Sequence, residues 1–599
     1  MNSEKIIKEL NQFLTLDLKQ QSYMDILKYH KKYLKIKEQV SNGKKCLKVA
    51  VIGSKSIQLF VKVLELMAFQ KGYVLDIYEG EYDGITSEVF DEHSQLYAFA
   101  PQYVLLLTHY SDIRTYPSLL STQDEIKNWV QQQMNYYHTL WHNLNRLHCV
   151  ILQSYFVTPI VRQLDQLEAS VPYSQENALR LLNQKMMEEK ESYVHMIDLD
   201  YIASYIGKRN WFDERNYYLN KAGFSYDYLP LVVSYYLSRL FSLEGIVKKC
   251  VVLDLDNTLW GGVIGDDGYE GINLNPNDAI GEAFLAFQDY LLSLKERGVI
   301  LAVCSKNEED IAKEGFTKNE FMRLSLDDIS CFMANWNDKA SNIKKIAEFL
   351  NIGIDSLVFV DDNPAEREIV KTFLPEVTVI DLPDDPALYV RSLNEAMCFD
   401  WHALTPEDVT RAKTYQENLK RLELEQSFVD YASYLQSLEM RGYVGEVNDH
   451  EVDRFIQLSN KSNQFNLRTV RLSEADVECM RNDPHYKLLY VTLSDCFSQY
   501  GIISCIILHK QDEICFIENW LMSCRVLKRG VENFAFYEVL NIAKAWGCKT
   551  LVGEYIATKK NKMVKDFYSQ LGFEKIDDNR YQIDVNTNQD VKIYIKKGE

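Results

Sequence analysis

A multidomain α/β protein is the fold class this sequence predicts, and three observations carry the prediction. Short apolar runs alternate with helical stretches over the first 245 residues. Between Ile246 and about Asp400, further apolar runs end in acidic or hydroxyl side chains. Beyond residue 436, several strands follow one another before one long helix. A chain of 599 residues has room for three or so domains. Hydrophobic residues at 46% and charged residues at 25% suit globular cores. The expected layout is residues 1–245, 246–400, a connecting helix over 401–435, and 436–599.

In the first segment the runs Leu47–Ile52, Val74–Tyr78, Tyr103–Thr108, Cys149–Gln153 and His195–Asp198 alternate with helical stretches, as in a doubly wound, flavodoxin-like parallel sheet. The first strand ends in Gly53-Ser54-Lys55-Ser56, which raises Ser54 as a nucleophile. The segment resembles the N-terminal part of FkbH-like proteins, itself similar to the SGNH-hydrolase fold. Two of that fold's blocks are replaced, by Thr108-His109-Tyr110-Ser111-Asp112 and by Phe212-Asp213-Glu214-Arg215-Asn216. A serine without its base predicts a turn or cap residue, and a domain without hydrolase catalysis. His138 and His142 lie one helical turn apart, but without a third ligand they predict no zinc site.

The run Val251-Val252-Leu253-Asp254-Leu255-Asp256-Asn257-Thr258-Leu259-Trp260 ends an apolar strand with two carboxylates. Alternation along an extended backbone points Asp254 and Asp256 the same way, and like charges that close call for a cation. All the available ligands are hard oxygens, so Mg²⁺ is expected. Leu301–Asn307 delivers Ser305 at a second strand end, Asn337-Asp338-Lys339-Ala340 supplies an ammonium at a helix start, and Leu357–Pro364 ends a third strand in Asp361 and Asp362. Asp254 is the expected nucleophile toward phosphorus, and Asp256 the acid and base. Ser305 and Lys339 would neutralise phosphate oxygens, with Asn257 and Thr258 beside them, while Asp361 and Asp362 join the metal site. In this order the four motifs resemble those of the haloacid dehalogenase superfamily, which implies its Rossmann-like fold and phosphatase chemistry.

A net charge of −20 argues against nucleic acid or anionic membrane as partners. No segment has the ~18 uncharged apolar residues of a membrane span, and the first residues do not read as a signal peptide, so a cytoplasmic location is expected. The twelve cysteines form no C-x-x-C pair and predict reduced thiols. Thr405-Pro406-Glu407-Asp408 reads as a helix start leading through the solvated Lys413–Glu425 stretch.

The last segment predicts strands near Met440–Glu446, Leu488–Asp495, Ile502–His509 and Ile514–Met522, then a helix from Glu532 to Trp546. Its connecting loop, Ser523–Val531, places Arg525, Lys528, Arg529 and Gly530 at a helix amino terminus, an anion cradle. With Asn561 and Phe567–Phe573, the segment resembles an α+β GNAT acyltransferase domain. That resemblance implies that the loop holds the phosphate of a pantetheine arm and that Asn561 and Tyr568 lie near a thioester. Lys528 stands where the family has a glycine, which fits a single phosphate, as on a carrier protein.

Along nearly its whole length the chain resembles the FkbH-like glyceryl transferase/phosphatase family. The resemblance is carried by Asp254–Gly268, Cys304–Asn307, Asp361–Glu368, Asn460–Leu467 and Met522–Leu527. It implies removal of phosphate from 1,3-bisphosphoglycerate and transfer of a glyceryl group to the phosphopantetheine thiol of an acyl carrier protein, feeding polyketide-type pathways. Cys304, beside Ser305 and the cations Lys306 and Lys339, is the expected thiolate for an enzyme-bound thioester, and Cys524 is its rival. Two alternatives stand beside this: an Mg²⁺-dependent small-molecule or protein phosphatase with a carrier-binding C-terminal domain, and a non-catalytic assembly factor. Against the latter, clustered like charges have no use in a docking module.

Overall fold

Parallel strands buried on both faces must be apolar, and the centre of the first sheet, Val49–Ile52 and Tyr103–Leu107, is built that way, while its edge strand Tyr73–Glu79 carries the exposed Asp76 and Glu79. The computed structural model describes the chain apart from residues 1–7, 9–10, 12, 15, 17, 19–20, 42, 405–420, 422–423, 425–427, 429, 463, 559, 588–591 and 599, and the side chain of Cys524. Two compact units result, Met1–Leu240 with Ser473–Asp476, and Phe241–Leu472 with Val477–Glu599. No described helix is long and apolar enough to cross a membrane.

In the first unit β1 (Lys45–Gly53), β2 (Tyr73–Glu79), β3 (Tyr103–Leu107), β4 (Val150–Ser154) and β5 (Val194–Ile197) form one sheet in the order β2-β1-β3-β4-β5. All neighbours are parallel. The chain reverses its direction of winding between β1 and β3, so a topological switch point lies at their carboxyl ends. Helix α1 (Gln123–Asn145) starts at a capping box of Thr122 and Glu125, and buries Met134, Leu140, Trp141 and Leu144 against Val104 and Leu106. His138 on α1 pairs with Glu189 at 3.4 Å, and His142 is exposed.

The second unit begins with β6 (Cys250–Leu253), β7 (Ile300–Ser305), β8 (Cys331–Ala334), β9 (Leu357–Asp361) and β10 (Thr378–Asp381), a parallel sheet in the order β10-β9-β6-β7-β8. Every residue of β6, β7 and β9 is buried. Helix α2 (Lys339–Phe349) is capped by Asp338, which accepts the Ser341 amide at 2.8 Å. Helix α3 (Pro364–Phe373) opens with Asn363 as cap and proline in its first turn, where the missing amide has no bond to lose.

The same unit continues as an antiparallel meander of β11 (Arg441–Glu446), β12 (Tyr486–Ser494), β13 (Gln499–Gln511) and β14 (Ile514–Met522). Helix α4 (Val531–Ala545) crosses over to β15 (Thr550–Glu554), parallel to β14. β16 (Glu574–Lys575), β17 (Arg580–Asp584) and β18 (Lys596–Lys597) complete an eight-stranded sheet. β14 and β15 pair only through Ile514–Ile517 and Thr550–Gly553. Farther along β14, Phe465–Leu467 lies alongside it: Leu467 donates to the Trp520 carbonyl at 3.0 Å, and the Met522 amide donates to Phe465 at 3.0 Å.

The segments 246–400 and 436–599, expected as separate domains, thus belong to one unit. Lys560 pairs with Asp355 across them. Most of the expected connecting helix over 401–435 falls outside the described residues, and its end overlaps a short helix at Tyr431–Ser437. Within 401–435, Arg421 is buried and grips Asp495 through two bonds of 2.9 Å.

Gly245 fixes the second junction. Its φ is +73°, and a Cβ there would lie 1.9 Å from the Asn460 carbonyl oxygen. Gly245→Ala is therefore expected to cost about 2 kcal/mol or more in urea unfolding, combining left-handed strain with overpacking. An unchanged midpoint would show that this approach is not a constraint.

Candidate active site

The carboxyl ends of β6, β7 and β9, with the start of α2, bring Asp254, Ser305, Lys339, Asp361 and Asp362 to one corner of the parallel sheet. Such strand ends collect functional groups because the side chains leave the buried sheet where loops can vary. The Lys339 ammonium, 3% exposed, pairs with Asp254 Oδ1 at 3.0 Å and donates to Asp361 Oδ2. Burial alone would strip its proton, but Asp254 and Asp361 outweigh that and hold its pKa well above the usual lysine range. Asp361 is pushed up to about 6, first by burial and then by the charge of Asp254, with Lys339 opposing. Asp362 is raised for the same two reasons.

Oxygens of Asp254, Asp361 and Asp362 lie within 4.8 Å of one another. Three carboxylates face one ammonium, and buried Asp254 Oδ1 closes no hydrogen bond despite its ion pair. Surplus negative charge with an unsatisfied oxygen fits a hard divalent cation.

Surrounding residues fix these acids. Arg367 Nη1 donates to the Asp361 and Asp362 carbonyls at 2.8 and 2.6 Å, and Asp361 Oδ1 accepts the Asn363 amide at 2.8 Å. The Asp362 amide donates to Thr258 Oγ1 at 3.1 Å, so that hydroxyl orients Asp362 where phosphate contact was expected. Asn307 donates to Ser305 Oγ at 3.1 Å and to Asp256 Oδ2 at 2.9 Å.

Several expectations are corrected. The Asp256 carboxylate is not in the three-acid cluster: Oδ1 accepts Trp260 Nε1 and the Ile264 amide, each at 3.0 Å. The strand ends at Leu253, so the alternation that would aim both acids alike stops before Asp254. Asn257, at φ +52°, uses its side-chain oxygen to accept the Gly262 amide at 3.0 Å, which fixes the turn after Asp256. Cys304 is fully buried among Cys250, Ala302, Ile343 and Phe359. Burial raises its thiol pKa far above the ordinary range despite Lys339, so it is a protonated core thiol and not a thiolate.

In the C-terminal part, a cavity of about 620 Å³ is lined by Arg421, Arg525, Lys528, Arg529 and Glu532, together with Glu348–Asn351 at the far end of α2. Gly530 caps α4 at φ +73°. Arg529 reaches Asp495 at 3.2 Å, and Arg525 Nε donates to Ser523 Oγ at 3.2 Å. Asn561 and Tyr568, expected beside a thioester, are both buried. Buried Asn561 donates to the Asn466 and Ile556 carbonyls, both at 2.9 Å, and Tyr568 packs beneath Gly553 with Phe573 and Tyr581. The Cys524 side chain lies outside the described residues.

Sequence reasoning missed Asn307 and Arg367. The first had a signal, since it follows Ser305 by two residues and so shares its side of an extended run. Arg421 and Asp495, 74 residues apart, had none.

Fold and site together define an α/β protein with a lysine-bridged aspartate cluster at the carboxyl ends of a parallel sheet. The family model described as "FkbH, N-terminal domain" matches residues 48–239. The solved N-terminal part of BF1531 from Bacteroides fragilis, containing a phosphatase domain and complexed with Mg, is 33% identical over 63% of this chain and 99% of that one, with a TM-score of 0.57. This chain belongs to that FkbH-like family of phosphatase-domain proteins. The C-terminal part overlaps the ribosomal-protein-S18-alanine N-acetyltransferase of Escherichia coli at 10% identity, over 25% of this chain and 99% of that one, with a TM-score of 0.20. A GNAT-family acetyltransferase from Staphylococcus aureus gives 12%, 24%, 99% and 0.20 respectively. No curated protein matches the chain.

A carboxyl with a folded-state pKa near 6, against about 3.9 unfolded, contributes stability below pH 4 and loses it as pH rises through 6. Its proton also competes with any cation. The rise in Tm caused by Mg²⁺ is therefore expected to be small at pH 5 and to grow through pH 6 to 7.5. A larger rise at pH 5 would contradict the assignment of Asp361.

Proposed function

We propose that this protein is an Mg²⁺-dependent phosphatase of the haloacid dehalogenase type, coupled to transfer of a glyceryl group from 1,3-bisphosphoglycerate to the phosphopantetheine thiol of an acyl carrier protein. The observation that carries the phosphatase half is the buried lysine shared by Asp254 and Asp361, with Asp362 alongside. Bound there by Asp254 and Asp362, Mg²⁺ would supply charge neutralisation for the transferring phosphoryl group. The related BF1531 fragment, complexed with Mg, supports that choice of ion.

Asp254 attacks phosphorus, the bond to the substrate alcohol breaks, and an aspartyl-phosphate forms. Asp256 gives the departing oxygen a proton and takes one back from the water that releases inorganic phosphate. Among the described residues its Oδ2 accepts a bond from Asn307 alone, which leaves it acceptor capacity. Ser305 and Lys339 hold the equatorial oxygens, and Asn307 orients both Ser305 and Asp256.

The acyl half rests on the cation-lined cavity. Arg525 and Lys528 would hold the phosphate of a pantetheine arm, whose thiolate attacks the acyl-phosphate carbon and expels phosphate. Protonated, buried Cys304 favours direct capture by the pantetheine thiol over an enzyme thioester. Lys339 and the cavity lie at opposite ends of α2, roughly 15 Å apart for an eleven-residue helix. A separation of that size suits an acyl group carried on a long arm.

Asp254→Asn is expected to lower phosphate release at least 10³-fold with the fold intact, because an amide is a poor nucleophile. Wild-type release in saturating Mg²⁺ would end the phosphatase assignment. Arg525→Ala should cut carrier loading, read by intact mass, while phosphate release from a small ester continues; equal loading would remove the cavity from the account. Cys304→Ala should load carrier normally, and abolished loading by a folded variant would restore the thioester.

A further inference from the structure

At the switch point of the first unit, the segments after β1, β2 and β3 and part of α1 line a cavity of about 770 Å³. Nothing in the phosphatase or acyl-transfer chemistry uses it. Carboxyl ends of parallel strands where the winding reverses are the usual place for a ligand in such sheets.

The walls are built rather than incidental. Lys55 Nζ and Asp112 Oδ1 are 3.1 Å apart, and Asp112 Oδ2 accepts the His109 amide at 2.7 Å. Burial raises the Asp112 carboxyl, with Lys55 opposing. Thr108 is fixed at the adjoining strand end: its amide donates to Ser154 Oγ at 2.9 Å, and Gln153 donates to its hydroxyl at 3.1 Å. Ser54, 2% exposed at the end of β1, is different. Its Oγ lies near enough to Asp112 to favour that carboxylate's charge, yet closes no hydrogen bond. A buried hydroxyl on a cavity wall without a closed bond is costly unless a ligand completes it.

The lining chemistry narrows the ligand. Its charges cancel, Lys55 and Arg114 against Asp83 and Asp112. Most of the remaining lining is hydroxyl or amide, with Tyr82 half exposed at the rim. Balanced donors and acceptors beside an aromatic face suit a neutral polyhydroxylated molecule better than a phosphate. His109 Nδ1 accepts the Ser111 amide at 3.2 Å, so the neutral ring carries its proton on Nε2 and has no free nitrogen to take the Ser54 proton, and burial with Lys55 nearby drives its pKa down to about 3.

We infer that this cavity is a non-hydrolytic binding site for a neutral saccharide or similar polyol, with Ser54 and Asp112 bonding its hydroxyls and Tyr82 covering its ring. The test is saturation-transfer NMR on the full chain with free mono- and disaccharides, each beside its monophosphate. Expected is transfer to at least one neutral sugar, weakened about tenfold in affinity by Ser54→Ala and by Tyr82→Ala, with phosphate release unchanged. The exposed Tyr82 variant keeps the test valid if changes near buried Ser54 disturb folding. Binding of the phosphates alone, binding unaffected by both variants, or no binding would overturn the inference. Turnover of an acylated sugar that disappears in Ser54→Ala would overturn it too, by making the site a hydrolase.

Discussion

One buried ammonium organises the catalytic corner. Without Lys339, Asp254, Asp361 and Asp362 would bring three carboxylates into a few ångströms of poorly solvated space, and mutual repulsion would protonate or separate them. Lys339 pairs with two of them and leaves a surplus of negative charge that a divalent ion can complete. The parallel sheet is what permits this: β6, β7 and β9 are apolar to their last residues, so the polar groups all emerge at one edge.

The same reasoning separates oxygen chemistry from sulfur in β7. Ser305 faces the acids, whereas Cys304, one residue earlier, necessarily points through the opposite face of the sheet into apolar packing. The neighbours Ser305 and Lys306, with Lys339 near by, suggested a thiolate; burial in apolar packing opposes it, although Lys339 is close in the fold. The phosphatase corner therefore has no thiol nucleophile from this strand, and the acyl chemistry falls to groups around the cation-lined cavity.

The five strands of the first sheet and β6, β7 and β9 of the second were legible from mostly apolar runs, and the acids because they follow such runs directly; β8 and β10, four-residue edge strands, gave no comparable run and were not legible. Lys339 was legible from the helix start at Asp338. What was not legible depended on loop geometry or on distant partners. Asp256 lies past the end of its strand, so its direction is set by Trp260 and Ile264 rather than by alternation. The surroundings of Asn561 and Tyr568, set by the path of Phe465–Leu467 beside β14 and by packing beneath Gly553, left no mark in the local sequence. The buried Arg421–Asp495 pair joins residues with no local pattern at all.

The central claim is that Asp254 attacks phosphorus from within a lysine-neutralised acid cluster. Borohydride reduction of the protein during turnover of a phosphate ester, followed by peptide mass mapping, tests it most directly, because an aspartyl-phosphate is reduced to homoserine. Homoserine at position 254 is the predicted result. Its appearance at another aspartate, or an unmodified protein that is turning over substrate, would contradict the account.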